Sequence, residues 1–522
     1  MFLTTGIWCQ FSSLYRLGLT IAAVCLRILP QANKIFRHRR AVYRNTHGRI
    51  RCRVRPVILY NQALFLAENE RMCKMDSNST ELFARTPPVK LFFIASLPGA
   101  VSMLASALYQ LLDGIFVGHY LNETAFAALN LAMPFVIINF ALADLIGVGS
   151  AVPISVDLGK GLKREADNIF TCACIMIFAA GVIVGALLYA LAPALMNIMG
   201  ADGDFASFAV QYLRVYALCS PLTTIVFAMD NYLRICGYIR GSMWLNILMS
   251  GLSAGLEFLF LGVLGFGIWG AALATCLGML ICALITFIPF LRGKALLRFT
   301  RPRFSRPMVK QIISCGSPNF LNNIAGRITS IIMNAILVRL GGEGAVSVYG
   351  ILMYVDGFVQ PLLYGMCDSL QPAVGYNWGA RKFSRVRAIE KCCFTASAIV
   401  SLVSAVLIIL LPELITNLFV ADPGPAVLGM STGALKLFSL TYITRWFSFA
   451  TQSYMLAVEK PLPASIISVS TALIFPLILI AALWPLGLTG IWLNFAGTSL
   501  LAGALSAFIL RRLSTELRRT DE

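Results

Sequence analysis

The chain of 522 residues is 58% hydrophobic and only 13% charged, with a mean hydropathy of +0.78 and a formal net charge of +18. Soluble chains carry about a quarter charged residues, so the composition excludes a soluble globular protein. It points to an all-α polytopic membrane protein, built from apolar runs of about 20 residues whose helices satisfy their own backbone hydrogen bonds in lipid.

The positive charge is unevenly placed. Residues 1–74 hold 13 Lys and Arg against 2 Asp and Glu, and the remaining 448 residues hold 29 against 22. The excess therefore sits in a short N-terminal extension and in loops, which argues against nucleic acid as a partner. Within the extension, LGLTIAAVCL is ten apolar residues, too short to span and closer to a weak signal core. The basic stretch after it reads as a targeting peptide, a cytoplasmic tail or the product of a misplaced start. The last is the expectation, with Met75 as the true start ahead of the polar leader DSNSTELFARTPPVK. The expected organisation is an extension over 1–74, an N-terminal six-helix lobe over 75–300 and a C-terminal lobe with a short tail over 301–522.

Twelve helices are predicted, centred near residues 103, 137, 180, 218, 252, 280, 325, 362, 403, 440, 472 and 500. The loops alternate in charge. GKGLKRE (159–165), RICGYIRG (234–241), the long 292–310 segment, GARKFSRVR (379–387) and RRLSTELRR (511–519) are basic; NET, GADGD, GFG, GGEG and PLGL are not. Lys and Arg stay on the cytoplasmic side, which predicts a plasma (inner) membrane protein with both termini cytoplasmic. An internal repeat runs at an ungapped offset of 220, pairing Pro98 with Pro318, Ala125 with Ala345 and Gly159 with Gly379. Six helices separate the copies, so both halves face the same way. Parallel halves around a central cavity are a transporter architecture.

The first helix sets Ser102, Ser106, Tyr109/Gln110 and Asp113 on one face, at steps of three and four. The fifth does the same with Asn246, Ser250, Ser253 and Glu257. Two polar stripes that each end in a carboxylate predict a shared water-filled cleft, because an intramembrane acid is costly without a use. The competing reading makes each acid a structural ion pair or a cap. Against it, the first six helices offer no central Lys or Arg, and the repeat counterpart of Asp113 is Met333. A carboxylate there could take a proton from outside and release it, or neutralise a bound cation. Asp113 and Glu257 are the candidate coupling groups.

The second half differs. Its first helix carries Asn323, Arg327, Ser330 and Asn334 without an acid, the next carries Tyr349, Asp356, Gln360, Asp368 and Gln371, and the tenth holds Arg445 and Gln452. Either Arg327 or Arg445 pairs with Asp356 or Asp368, or Arg327 belongs to a site for an anionic or lipid group. Gln110, Ser253, Asn334 and Asp356 are candidate cavity residues. No GxxxxGK[ST] loop accompanies Gly147 and Gly149, which speaks against ATP as the driving force. The 14 cysteines show no paired CxxC spacing for a metal and read as small buried hydrophobes. Three histidines at 38, 47 and 119 supply no catalytic or metal constellation for a membrane enzyme.

Several segments together resemble the multidrug and toxic compound extrusion (MATE) family: LYQLLDGIFVGHYLNETAFAALNLAMPF, GVGSAVPISVDLGKG, SLQPAVGYNWGARKFSRVRAIE and LTGIWLNF, over about residues 85–512. The resemblance implies two six-helix lobes, a monomer and export of small cationic amphipathic compounds coupled to H⁺ or Na⁺, with no other cofactor. One branch of the family places its ion site on acids of the seventh and tenth helices, which are absent here. The chain is more similar to the DNA-damage-inducible and staphylococcal-type pumps, whose first-helix aspartate matches Asp113. Such relatives often add an aspartate on the fifth helix with an asparagine four residues earlier, where this chain has Glu257 and Ser253. Tyr212 and Thr275 fall where relatives place further polar cavity groups. A flippase for lipid-linked saccharides of the same superfamily is the alternative, with Arg327 and Arg445 its only hints.

Overall fold

The computed structural model of the chain describes residues 79–121, 123–419 and 424–521, so the expectations for residues 1–74 lie outside the described residues. Every described element is helical. The six spanning helices of the first lobe are α1 Pro88–Tyr120, α2 Glu123–Gly159, α3 Lys163–Ile198, α4 Gly203–Ile235, α5 Ile239–Val263 and α6 Ile268–Leu291. Those of the second are α7 Arg306–Gly342, α8 Gly344–Gly379, α9 Phe383–Leu410, α10 Pro425–Ser439 with Thr441–Ala457, α11 over 461–483 and α12 Gly487–Asp521.

Two boundaries rest on glycine. A continuous helical stretch of 63 residues, Arg306–Asp368, turns at Gly342, where φ is 60° and ψ −152°. The 53-residue stretch Pro461–Leu513 turns at Gly487, where φ is 56°. At about 1.5 Å per residue either stretch would be more than twice as long as a bilayer's hydrocarbon core is thick, so each is two spans. Positive φ favours glycine, which has no Cβ to clash. The described residues thus hold the twelve spanning helices expected.

At the start of α7, Ser305 takes the N-cap and its Oγ accepts the Met308 amide at 3.4 Å, with Pro307 in the first turn. The segment leading to that cap is strapped to the start of α3. Asp167 Oδ1 accepts the Arg298 amide at 2.9 Å, Thr171 Oγ1 that of Thr300 at 3.0 Å and Asn168 Oδ1 that of Arg303 at 2.8 Å. Residues 410–433 belong to a separate small unit, with a short helix Pro412–Phe419 in which Thr416 Oγ1 donates to Pro412 O at 2.9 Å and lies 2.7 Å from Ser431 Oγ.

Within the first lobe, alanines fill the contacts near one end and larger apolar side chains near the other. Ala128, Ala132, Ala209, Ala271 and Ala272 are buried near one end, and Ile154, Phe170, Ile177 and Met229 near the other. Cys172, Cys174, Cys236, Cys276 and Cys282 are buried free thiols in the same packing. Large apolar side chains such as Ile183, Leu284 and Ile331 point outward, the reverse of a soluble protein and the surface lipid requires.

The lobes meet along a glycine-lined seam on the half of the bundle that carries the basic loops. A Cβ on Gly316 would lie 1.8 Å from Leu145 O, and one on Gly149 2.1 Å from Ile312 O. Farther along, a Cβ on Gly159 would lie 2.0 Å from Tyr376 O and one on Gly379 2.0 Å from Val156 O. Ser96 Oγ donates to Met366 O at 3.1 Å beside the close pair Gly99 and Gly365. Backbones approach this closely only where side chains are missing. The contacts are reciprocal under the 220-residue offset: Val156 corresponds to Tyr376 as Gly159 does to Gly379. The seam is thus self-complementary, as across a two-fold axis.

Candidate functional site

Asp113 on α1 and Glu257 on α5 are buried, 6% and 0% exposed. The two carboxyls face one another closely enough to share a proton in a hydrogen bond. Without that proton, Asp113 Oδ1 and both Glu257 oxygens have no hydrogen-bond partner. Among the described residues neither carboxylate has an ion pair. The helix carrying Glu257 changes to π geometry in the next turn, Phe258–Val263. Such turns insert a residue and re-aim the side chains beside them.

Tyrosines surround the pair. Tyr109 Oη lies 2.6 Å from Thr275 Oγ1. The Thr275 hydroxyl donates to Ala271 O at 3.3 Å, which leaves Tyr109 as the donor of the shorter bond. Tyr212 is buried with its ring centroid 5.1 Å from that of Tyr216, and both rings lie within electrostatic reach of Asp113. Of the residues singled out from sequence, Tyr109, Asp113, Glu257, Tyr212 and Thr275 therefore come together in the first lobe. Tyr216 completes the group, and nothing in the sequence marks it.

The other candidates lie elsewhere on α1 and α5 or in the second lobe. Gln110 is exposed on α1. Ser253 packs against α6 at Gly278, where an added Cβ would meet its Oγ at 2.2 Å. Asn334 Nδ2 donates to Ser330 O of its own helix at 3.0 Å. Asp356 is held by Arg445, whose Nη1 and Nη2 donate to Oδ1 and Oδ2 at 2.9 and 3.2 Å, and Tyr442 Oη donates to Oδ1 at 2.8 Å. This is one of the ion pairs the sequence allowed. Asp368 instead accepts from Gln371 Nε2 at 2.9 Å and Ser453 Oγ at 3.1 Å. Arg327 is exposed and has no ion pair among the described residues.

A second polar network lies at the seam. Arg234 Nη2 pairs with Asp230 Oδ2 at 2.6 Å, one helical turn away on α4. Ser242 Oγ and Asn246 Nδ2 of α5 donate to Asp230 Oδ1 at 2.5 and 2.8 Å. Arg234 Nη1 reaches Ser369 Oγ of the opposite lobe at 3.2 Å. Asn246, which sequence periodicity assigned to the cleft stripe, thus serves this network. The i, i+4 spacing of Asp230 and Arg234 was legible, but their role across the lobes was not.

The MatE family model matches the chain twice, over residues 98–259 and 318–481. The matches begin at Pro98 and Pro318, the pair fixed by the internal repeat. Multidrug export protein MepA of Staphylococcus aureus strain N315 is 26% identical over 438 residues, covering 82% of this chain and 95% of MepA. MepA of Staphylococcus haemolyticus is 23% identical, covering 81% and 93%. Among solved structures, the outward-facing conformation of a multidrug resistance MATE family transporter of the MOP superfamily superposes with a TM-score of 0.79 at 24% identity, covering 84% of this chain and 98% of that one. A MOP superfamily transporter from Pyrococcus furiosus gives 0.78 at 24% identity, covering 84% and 98%. Matched over more than half of its length, in two copies that fall one on each lobe, the chain belongs to the MatE family of multi-pass membrane transporters.

Proposed function

We propose that the chain is a cation-coupled antiporter that exports cationic amphipathic compounds by alternating access, with Asp113 and Glu257 as its coupling pair. The observation that carries this reading is two facing, buried carboxyls with no Lys or Arg paired to them among the described residues. Two acids so placed share a proton more readily than they hold two charges. A proton, or Na⁺, arriving from outside satisfies them; its departure inward leaves negative charge that attracts a cationic substrate. The aromatic wall of Tyr109, Tyr212 and Tyr216 offers π faces to such a substrate.

The seam supports alternating access. With the basic loops cytoplasmic, as their Lys and Arg content argues, the closed half is the cytoplasmic one. Both termini then lie in the cytoplasm and the chain sits in the plasma membrane. The names of the staphylococcal relatives support drugs as the substrate class. Of the two arginines that favoured a lipid-linked saccharide, Arg445 is committed to Asp356, which weakens the flippase reading.

The test is ethidium efflux from pump-deficient cells expressing the native chain or Asp113→Asn at equal membrane level. Efflux by the native chain and its loss in the variant are expected. Equal efflux by both would remove Asp113 from the coupling step, and no efflux by the native chain would overturn the substrate class.

A further inference from the structure

On the outside of the first lobe, near the basic end, a groove of about 730 Å³ runs between α1 and α5. Val89, Phe93, Leu97 and Val101 form one wall at four-residue steps, exposed by 59, 60, 59 and 40%. Their neighbours Leu91, Phe92 and Ala95 are buried, so α1 turns a large apolar ridge outward along the whole groove. Lys90 and Arg240, each near the start of its helix, line the basic end. Both are exposed, and among the described residues no acid lines the groove and neither cation has an ion pair.

We propose that this groove binds an anionic phospholipid of the bilayer, its phosphate between Lys90 and Arg240 and an acyl chain along Val89, Phe93, Leu97 and Val101. The dimensions fit. From Lys90 to Val101 the helix rises about 17 Å, close to the roughly 15 Å of hydrocarbon in one leaflet. The charge pattern fits as well. Two cations at the headgroup level of a leaflet attract anionic lipid, and they repel the other available occupants. The basic segment 1–74 carries 13 Lys and Arg against 2 acids, and a cationic substrate has the same sign. A zwitterionic lipid would fill the trench without using the two charges. The site is independent of the carboxylate pair, although its walls are the helices that carry Asp113 and Glu257.

The test is native mass spectrometry of the full chain in detergent, titrated with palmitoyl-oleoyl phosphatidylglycerol or phosphatidylcholine. Tight binding of one phosphatidylglycerol and weaker binding of phosphatidylcholine are expected. Lys90→Gln/Arg240→Gln should weaken phosphatidylglycerol by about thirtyfold. Arg301→Gln/Lys310→Gln, which removes equal charge outside the groove, should leave binding unchanged. Leu97→Trp, which fills the trench and keeps both cations, should also abolish it. Equal affinity for the two lipids would overturn the proposal. So would an equal loss in the control variant, or unchanged binding in the groove variants.

Discussion

Gly159 and Gly379 hold equivalent places in the two halves, and each accepts the opposite half's backbone where a side chain would stand. Tyr376 O lies 2.0 Å from the Cβ position of the first and Val156 O 2.0 Å from that of the second. A carbonyl on a helix cannot swing aside as a side-chain tip can, so a side chain at either position must hold the lobes apart. Gly379→Val should reduce ethidium efflux by about tenfold or more, by depopulating the closed seam, while membrane insertion persists. Spin labels at Lys160 and Arg381, both exposed beside the seam, should report a longer distance in the variant. An unchanged distance distribution with normal efflux would show that the seam tolerates the added side chain.

Asp113 and Glu257 should behave as one unit. Each of Asp113→Asn and Glu257→Gln should abolish ethidium-triggered proton or Na⁺ movement in proteoliposomes. The double variant should be no worse than either single one, because groups acting together give strongly non-additive losses. Losses that multiply would mean two separate sites.

The Asp356–Arg445 pair predicts a different pattern. Removing one partner strands a buried charge, which costs about 3 kcal/mol or more. Arg445→Met and Asp356→Asn should each lower the thermal unfolding midpoint in detergent, and the double variant should recover much of the loss. A double variant as unstable as the sum of the two would reduce the pair to unrelated contacts.

Glu459, in the turn between α10 and α11, supplies a pH test outside the membrane. Burial pushes its carboxyl above the ordinary range; nearby Asp157 adds to this, while Lys160 and the bond from Gln311 Nε2 at 2.8 Å oppose it. A raised carboxyl favours folding while protonated, and that advantage is lost as pH rises from the ordinary value through the folded one. Glu459→Gln should therefore gain stability relative to the native chain as pH rises from about 4 upward. A difference in unfolding midpoint that is flat with pH would count against the burial of this group.

The spans were legible because about 20 apolar residues must cross the bilayer whatever the fold. The repeat was legible because Pro98 and Pro318 keep their register. The same alignment paired Gly159 with Gly379, yet it could not show that they touch the opposite lobe, since a pattern of glycines does not say which backbone fills the gap. Periodicity placed Asp113 and Glu257 on polar stripes, whereas their mutual approach depends on how α1 and α5 cross. Asn246 shows the limit of that method: it lies in register with the stripe ending at Glu257 and spends its amide on Asp230. The π turn after Glu257 and the break at Leu440 in α10 carry no proline of their own, so no local signal announced them.

A seam made of absent side chains also bears on how two copies of one ancestral half could drift apart. Contacts between backbone and glycine ask only that nothing be added at a few positions, and they leave the remaining surface of each copy unconstrained. One half could gather a pair of acids and the other neutralise its aspartate with Arg445, while the join between them kept its shape. The repeat thus keeps one self-complementary seam between two lobes whose polar residues differ.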